Sequence, residues 1–149
     1  MMRFSSVSSL LNAVLVCAAF GGMTLLSACQ QGQPSDALRI RSETAATELV
    51  ASIARIAQTC WFKSKDRAFA SYRLANEVNS SAGRPRFLLV PKRDPGGLPL
   101  LVVQAEQVID PASGPYTDLQ TYGPALQSVN GKRITDDVRR WSQGDSSCT

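Results

Sequence analysis

The chain contains no histidine, and this absence removes several classes of active site. Histidine is the side chain most used for proton transfer near neutral pH, so the common catalytic triads and histidine-bearing metal sites are excluded. Aromatic residues make up only 7% of the chain, and 12 acidic residues nearly balance 16 basic ones. A positive excess this small does not indicate a nucleic-acid-binding protein, which carries strongly clustered charge.

Long hydrophobic runs are also missing. The most apolar segment, residues 10–26, is uncharged but is interrupted by Asn12, Gly21, Gly22 and Thr24. It is shorter than the ~20 strongly apolar residues that a membrane-spanning helix needs. Because Arg3 stands ahead of it, the segment has the profile of a signal peptide. An uncleaved membrane anchor is the alternative.

The apolar segment ends in Leu26-Ser27-Ala28-Cys29. This motif resembles the lipobox of bacterial lipoproteins, in which small residues precede a cysteine that receives lipid and becomes the new N-terminus. The resemblance implies that residues 1–28 are removed and that Cys29 carries a diacylglyceryl group and an amide-linked acyl chain such as palmitate. Two or more acyl chains suffice for stable attachment, whereas one binds only marginally. An ordinary cleaved signal peptide remains the other possibility.

The residue after the lipobox bears on location. Gln30 follows Cys29, and a residue other than Asp at this place resembles the pattern that sends lipoproteins of enteric bacteria to the outer membrane. We therefore expect a lipid-anchored protein of the bacterial cell envelope, at the outer membrane and facing the periplasm.

Removal of residues 1–28 from a chain of 149 leaves 121 residues, which is enough for one domain with a single core. Polar residues 29–40 contain Gly32 and Pro34 and are typical of a flexible tether. Residues 41–149 are then a single domain. With Arg3 removed, 15 basic residues remain against 12 acidic ones, so the net charge is about +3.

The four cysteines have separate fates. Cys17 is lost with the signal peptide and Cys29 takes the lipid, which leaves Cys60 and Cys148. The bacterial periplasm favours disulfides, so we expect a Cys60–Cys148 bridge. Closing so long a loop contributes roughly 4 to 5 kcal/mol in the chain-entropy model. Two free buried thiols are the alternative, and two cysteines without histidine do not complete a zinc site. We expect no metal and no cofactor.

Apolar residues at intervals of three and four predict an N-terminal amphipathic helix whose face lies in the core, with Ser42 or Thr44 as its cap. The stripe consists of Ala46, Leu49, Val50, Ile53, Ile56, Ala57 and Cys60. Near the C-terminus, Ile134, Val138 and Trp141 have the same spacing. They predict a short helix that is capped by Thr135, has Asp136 and Asp137 in its first turn and runs to about Ser142.

Between the helices, alternating or short apolar runs separated by turn sequences predict four strands. They lie within residues 66–78, 87–90, 98–108 and 116–122. For the first, alternation favours a strand, although Phe69 and Ala75 also fit a helical stripe. Successive hairpins give an antiparallel meander. The predicted fold class is α+β: an N-terminal helix, a roughly four-stranded meander, a short C-terminal helix and one disulfide, with both helices on one face of the sheet.

Basic residues recur in or beside the predicted turns. A cationic rim would form if these turns shared one end of the sheet, and it could bind anionic lipid headgroups or an acidic envelope protein. An ordinary solvated surface is the alternative. The basic turns consist of Lys63, Lys65 and Arg67; Arg84 and Arg86; Lys92 and Arg93; Lys132 and Arg133; and Arg139 and Arg140. The candidate residues for the rim are Arg84, Arg86, Lys92, Arg93, Lys132 and Arg133.

Two further sets of residues offer other functions. Paired carboxylates can act as general acid and base, and the candidates are Glu77, Glu106, Asp110 and Asp118. Aromatic side chains can line a ligand groove, although they more often form core; these are Trp61, Phe62, Tyr72, Tyr116, Tyr122 and Trp141. We expect a lipid-anchored accessory or structural subunit that binds and is not an enzyme. A periplasmic ligand-binding or enzyme-inhibitor module is the alternative.

Overall fold

The structure is a computed structural model and describes residues 37–79 and 83–149. Its elements in chain order are β1 (Leu38–Ser42), α1 (Ala46–Ala57), β2 (Tyr72–Glu77), β3 (Arg86–Pro91), β4 (Leu101–Asp110), β5 (Gly114–Tyr122) and α2 (Gly131–Ser142). Helix α1 continues as a π-helix, Gln58–Lys63, and short 3-10 turns lie at Arg67–Phe69 and Pro124–Gln127. The strands form one antiparallel sheet in the order β1-β5-β4-β3-β2.

Alternating side chains divide this sheet into a covered face and an open face. Phe87 lies opposite Val103 and Leu89 opposite Leu101. These four side chains are fully buried in one core with the apolar faces of α1 and α2. Among the described residues, every member of that core lies between Leu38 and Trp141. The chain that follows the predicted anchor therefore supplies its own core.

The meander of β2 to β5 and the two helices are confirmed, and the sheet has one strand more than predicted. The additional strand, β1, includes the last residues of the predicted tether (29–40), so the domain starts before residue 41. Its sequence Leu-Arg-Ile-Arg-Ser alternates, but only two of its residues are apolar. Pairing with β5, where Ile40 lies opposite Leu119, is what makes it a strand.

Both predicted helix caps are wrong. Helix α1 begins after Ala45 without a side-chain cap, because Ser42 ends β1 and the Oγ of Ser42 accepts a bond from the amide of Thr44 (3.2 Å). Helix α2 begins at Gly131, four residues before Thr135, whose Oγ1 donates to the Gly131 carbonyl (3.0 Å). Asp137 consequently lies in the second turn rather than the first. The predicted end at Ser142 is confirmed.

The π-helix after α1 positions the disulfide. Cys60 and Trp61 are both buried there, and Cys60 is bonded to Cys148, 88 residues away, with their Cα atoms 5.2 Å apart. The predicted bridge is confirmed. It holds the last residues against α2, where the Nε1 of Trp141 donates to the carbonyl of Ser147 (3.1 Å).

Candidate functional site

Strand pairing brings several connecting segments to one end of the sheet. Tyr72, at the start of β2, lies opposite Pro91, at the end of β3. Leu38, at the start of β1, lies opposite Thr121, near the end of β5. The segment before β2, the turn after β3 and the start of β1 therefore share this end. The turns from β2 to β3 and from β4 to β5 lie at the opposite end.

The shared end carries six exposed basic residues that form no ion pair within residues 37–79 and 83–149. We call this surface the cationic end, and it consists of Lys63, Lys65, Arg67, Arg73, Lys92 and Arg93. By contrast, seven other basic residues of the described chain form ion pairs: Arg39, Arg84, Arg86, Lys132, Arg133, Arg139 and Arg140.

Backbone contacts fix the positions of these cations. The amide of Lys92 donates to the carbonyl of Ser71 (2.8 Å), which joins the turn after β3 to the start of β2. Lys65 has a left-handed backbone with φ of 58°, a conformation that costs energy for a residue with a side chain. Lys65 and Lys92 line one depression of about 260 Å³, together with the carboxylate of Asp66 and the rings of Phe62 and Tyr72.

A buried carboxylate supports this end from inside. Asp137 is 1% exposed and accepts bonds from the Nε1 of Trp61 (2.8 Å) and from Arg140 (2.6 Å). The guanidinium of Arg133 lies 3.7 Å from Asp137. It also lies 2.6 Å from Asp66, which belongs to the loop that carries Lys63 to Arg67. The hydrogen bond from Arg133, with one from the Ala68 amide, lowers the pKa of Asp66. The loop is thus tied to α2.

Sequence reasoning missed the role of Asp137 because it placed this residue in an exposed first turn. A signal was nevertheless present. Asp137 follows Ile134 by three positions and precedes Trp141 by four, so it lies on the apolar face of the helix. A carboxylate on such a face is buried, and burial requires the hydrogen-bonding partners that the structure supplies.

The structure does not bring the six residues of the predicted rim together. Arg84 pairs with Glu106 (3.2 Å), and Arg86 pairs with Glu77 (2.6 Å), at the end of β3 opposite to Lys92 and Arg93. Lys132 pairs with Asp136 (2.6 Å), and Arg133 with Asp66. Only Lys92 and Arg93 belong to the cationic end. Lys63, Lys65 and Arg67 form one of the predicted basic turns but were not among the six candidates, and Arg73 was not predicted at all.

The four candidate carboxylates lie on or beside the open face, outside the depression. Glu106 and Asp118 are direct neighbours across β4 and β5. Each faces an arginine, since Arg84 lies beside Glu106 and Arg39 lies 3.9 Å from Asp118. Glu77 pairs with Arg86. Asp110 accepts bonds from the backbone amide of Ala112, which is the main cause of its lowered pKa, and from Ser113.

The six candidate aromatic residues do not line one groove. The ring of Trp61 packs against that of Trp141 at 5.0 Å in the core. Tyr116 and Tyr122 belong to the open face, where the guanidinium of Arg41 lies 3.9 Å from the ring of Tyr116. Phe62 and Tyr72 are half-buried at the depression of the cationic end.

The predicted signal peptide (1–28) and Cys29 lie outside the described residues. In the two described ranges no helix has both the length and the apolar character to cross a membrane. The same ranges hold no group of three or more metal-ligating side chains. No family model, no curated protein and no solved structure matches the chain, so a proposal about function rests on the surface described above.

Proposed function

We propose that this protein is a small lipid-anchored module of the bacterial cell envelope, located at the outer membrane, and that it acts by binding through its cationic end. The observation that carries the proposal is the concentration at one end of the sheet of six exposed cations that form no ion pair within the part of the chain that the structure describes. The anchor rests on the resemblance of Leu26-Ser27-Ala28-Cys29 to a lipobox.

An unpaired exposed cation retains its field, whereas a carboxylate beside it cancels most of that field. Six such cations on one surface attract phosphate or carboxylate groups. The attraction is screened over about 8 Å at physiological ionic strength. A surface of this kind therefore acts on partners that are already close, which suits a protein held at a membrane.

Binding is a better proposal than catalysis for this chain. Histidine is absent, and three of the four candidate carboxylates lie within 4 Å of an arginine nitrogen. The fourth, Asp110, accepts bonds from turn amides. These contacts favour structural roles for all four. The expected role is that of an accessory or structural subunit.

The anchor is tested by processing and acylation in a bacterial host. Globomycin, which blocks the lipoprotein signal peptidase, is expected to accumulate the precursor, and Cys29→Ser is expected to leave no acylated form in mass spectra. Cys17→Ser is the matched control because it removes the other N-terminal cysteine, and it should be acylated normally. A Cys29→Ser chain that is acylated, or an unlipidated wild-type chain, would contradict the proposal.

The depression beside Phe62 and Tyr72 favours a second candidate function, capture of a small anionic ligand, because Lys65 and Lys92 line it and the carboxylate that also lines it, Asp66, is paired with Arg133. Titration with benzoate and with inorganic phosphate, followed by NMR, tests this candidate. Saturable shifts at Tyr72 that disappear in Lys65→Gln/Lys92→Gln would support it. The absence of shifts at millimolar benzoate and phosphate would count against it.

A further inference from the structure

Exposed apolar side chains accompany the cations at the cationic end. The described residues include three large apolar side chains that are strongly exposed, namely Leu98 (88%), Ile109 (82%) and Val129 (100%). Leu98 lies in the turn between β3 and β4 that also carries Lys92 and Arg93. Val129 precedes Asn130, whose side-chain amide donates to the carbonyl of Ala68 (3.3 Å) beside Arg67. Two of the three therefore belong to this end.

Ile109 is the useful exception. It lies at the end of β4 next to Asp110, at the opposite end of the sheet. There the nearby basic residues Arg84 and Arg86 are paired with carboxylates. Among the described residues, unpaired cations thus cluster with exposed aliphatic groups at the cationic end, whereas the opposite end has a single unpaired cation, Arg41, which donates a hydrogen bond to the β4–β5 turn. Such a cluster of cations and aliphatic groups is typical of surfaces that lie in a membrane interface, where cations meet phosphates and aliphatic groups reach the acyl boundary.

The chain also enters the domain at this end. Leu38 begins β1 there and follows Cys29 by nine positions. Fully extended, nine residues span at most about 30 Å. An acyl group on Cys29 would therefore hold the start of β1, which lies at the cationic end, within about 30 Å of the bilayer.

We propose that the cationic end lies against the anionic bilayer surface, with its six cations at the lipid phosphates and with Leu98 and Val129 at the acyl boundary. The orientation rests on the proposed lipid anchor, but the affinity of the surface for anionic lipid does not. The open face of the sheet then stands clear of the membrane, and its paired charges face the periplasm.

Vesicle binding by the unlipidated chain from Gln30 to Thr149 tests the surface by itself, since that chain contains the whole core. The probes are vesicles with 30% phosphatidylglycerol and vesicles of phosphatidylcholine alone. We expect strong preference for the first, lost between 0.1 and 1 M salt. Each basic residue near an anionic surface contributes about five-fold in affinity. Lys63→Gln/Arg67→Gln/Lys92→Gln/Arg93→Gln should therefore bind several hundred-fold more weakly.

The matched control removes the same number of charges from other surfaces. Arg41→Gln/Arg55→Gln/Arg84→Gln/Arg139→Gln has the same net charge as the first variant and should retain binding within about five-fold of wild type. Circular dichroism and thermal melts establish that both variants fold. Equal losses in the two variants, or equal binding to both kinds of vesicle, would overturn the inference.

The acylated full chain tests the orientation. Leu98→Trp should show a blue-shifted emission and quenching by brominated lipids, while Ile109→Trp, at the opposite end, should not. Equal quenching at the two positions would overturn the orientation. Failure of acylation with intact vesicle binding removes only the proposed anchor. Normal acylation without preference for anionic vesicles removes this inference and leaves the cationic end to an acidic protein.

Discussion

The two ends of the sheet carry similar numbers of charged residues but use them differently. At the ion-paired end, which we define by Glu77, Arg84, Arg86, Glu106 and Asp110, each arginine meets a carboxylate and Asp110 meets turn amides. At the cationic end, six basic residues lack such partners among the described residues, although Asp66 and Asp94 lie in the same loops. The charges of the ion-paired end are therefore mostly compensated within the protein, whereas those of the cationic end are left mainly to partners outside it.

This difference is matched by the way in which each end is held. At the ion-paired end, the two turns are held in place by the pairing of the strands that they connect. At the cationic end the charges repel each other. There the loop after α1 is fixed by the Cys60–Cys148 bridge, by the bond from Trp61 to buried Asp137, and by the Arg133–Asp66 pair. The disulfide and the buried carboxylate of Asp137 thus lie next to the surface on which like charges repel each other.

The largest effect is expected from removing the disulfide. Cys148→Ser should lower the free energy of unfolding by roughly 4 to 5 kcal/mol, because the unfolded chain regains the freedom of the long closed loop. Urea denaturation measures this, and the reduced wild-type protein is the control. Hydrogen exchange should accelerate more at Ser64 and Lys65 than at Ala112 and Ser113. A uniform change at both ends would contradict the proposed local role of the bridge.

Asp137→Ala should have the next largest effect. It leaves Arg140 and Trp61 without their buried acceptor, and breaking a buried pair costs about 3 to 5 kcal/mol. Glu77→Gln, which removes a surface pair at the ion-paired end, is the matched control and should cost less than about 1 kcal/mol. Both are measured by thermal and chemical unfolding. Similar costs would mean that Asp137 is not the support that the geometry indicates.

Two glycines provide a comparison of the backbone at the two ends. Gly123 has φ of 130°, and a Cβ there would lie 2.5 Å from the carbonyl oxygen of Leu100. Gly114, the first residue of β5, has φ of 80° with open space around it. Gly114→Ala should cost about 1 to 2 kcal/mol, the ordinary penalty for a left-handed residue. Gly123→Ala should cost more than Gly114→Ala, and equal melting temperatures would refute this difference.

The smallest effects concern acid and salt. The pKa values of Asp66 and Asp110 are both lowered, so the associated stability is present above the unfolded pKa of about 3.9 and is lost as the pH falls below it. Without histidine, stability should stay nearly level between about pH 5 and 8. Raising the salt concentration to 1 M should raise the pKa of Asp66, which depends on the charge of Arg133, more than the pKa of Asp110, which depends mainly on hydrogen bonds from backbone amides. NMR titration at low and high salt measures both pKa values. Equal salt shifts would contradict these causes.

Much of the architecture could be predicted because periodicity reports which face a residue buries. The stripe from Leu49 to Ala57 and the apolar runs of β3 and β4 each had an unambiguous period. Strand β1 was not predicted, because five residues with two apolar positions are too few to indicate a strand unless its partner strand is known. The start of α2 was missed because Gly131 is a poor helix former; it is there because a Cβ would collide with the carbonyl oxygen of Leu126.

The candidate site was less predictable. In the sequence, Arg86 and Lys92 look alike, since both flank a short apolar run beside a turn. They differ in their partners. Arg86 forms an ion pair with Glu77 on the neighbouring strand β2, whereas Lys92 pairs with no carboxylate of the described chain. Neutralisation of this kind depends on strand register and is invisible in spacing along the chain. By contrast, the pairing of Cys60 with Cys148 could be predicted from the sequence alone.

Strand β1 has a mechanical consequence. It is an edge strand that runs antiparallel to β5, and its first residue, Leu38, lies at the end where the chain enters. Tension that draws Leu38 away from that end acts along the strand and loads its hydrogen bonds to β5 together, in shear, instead of opening them one after another. The domain should therefore resist pulling from Leu38 better than the short length of β1 suggests.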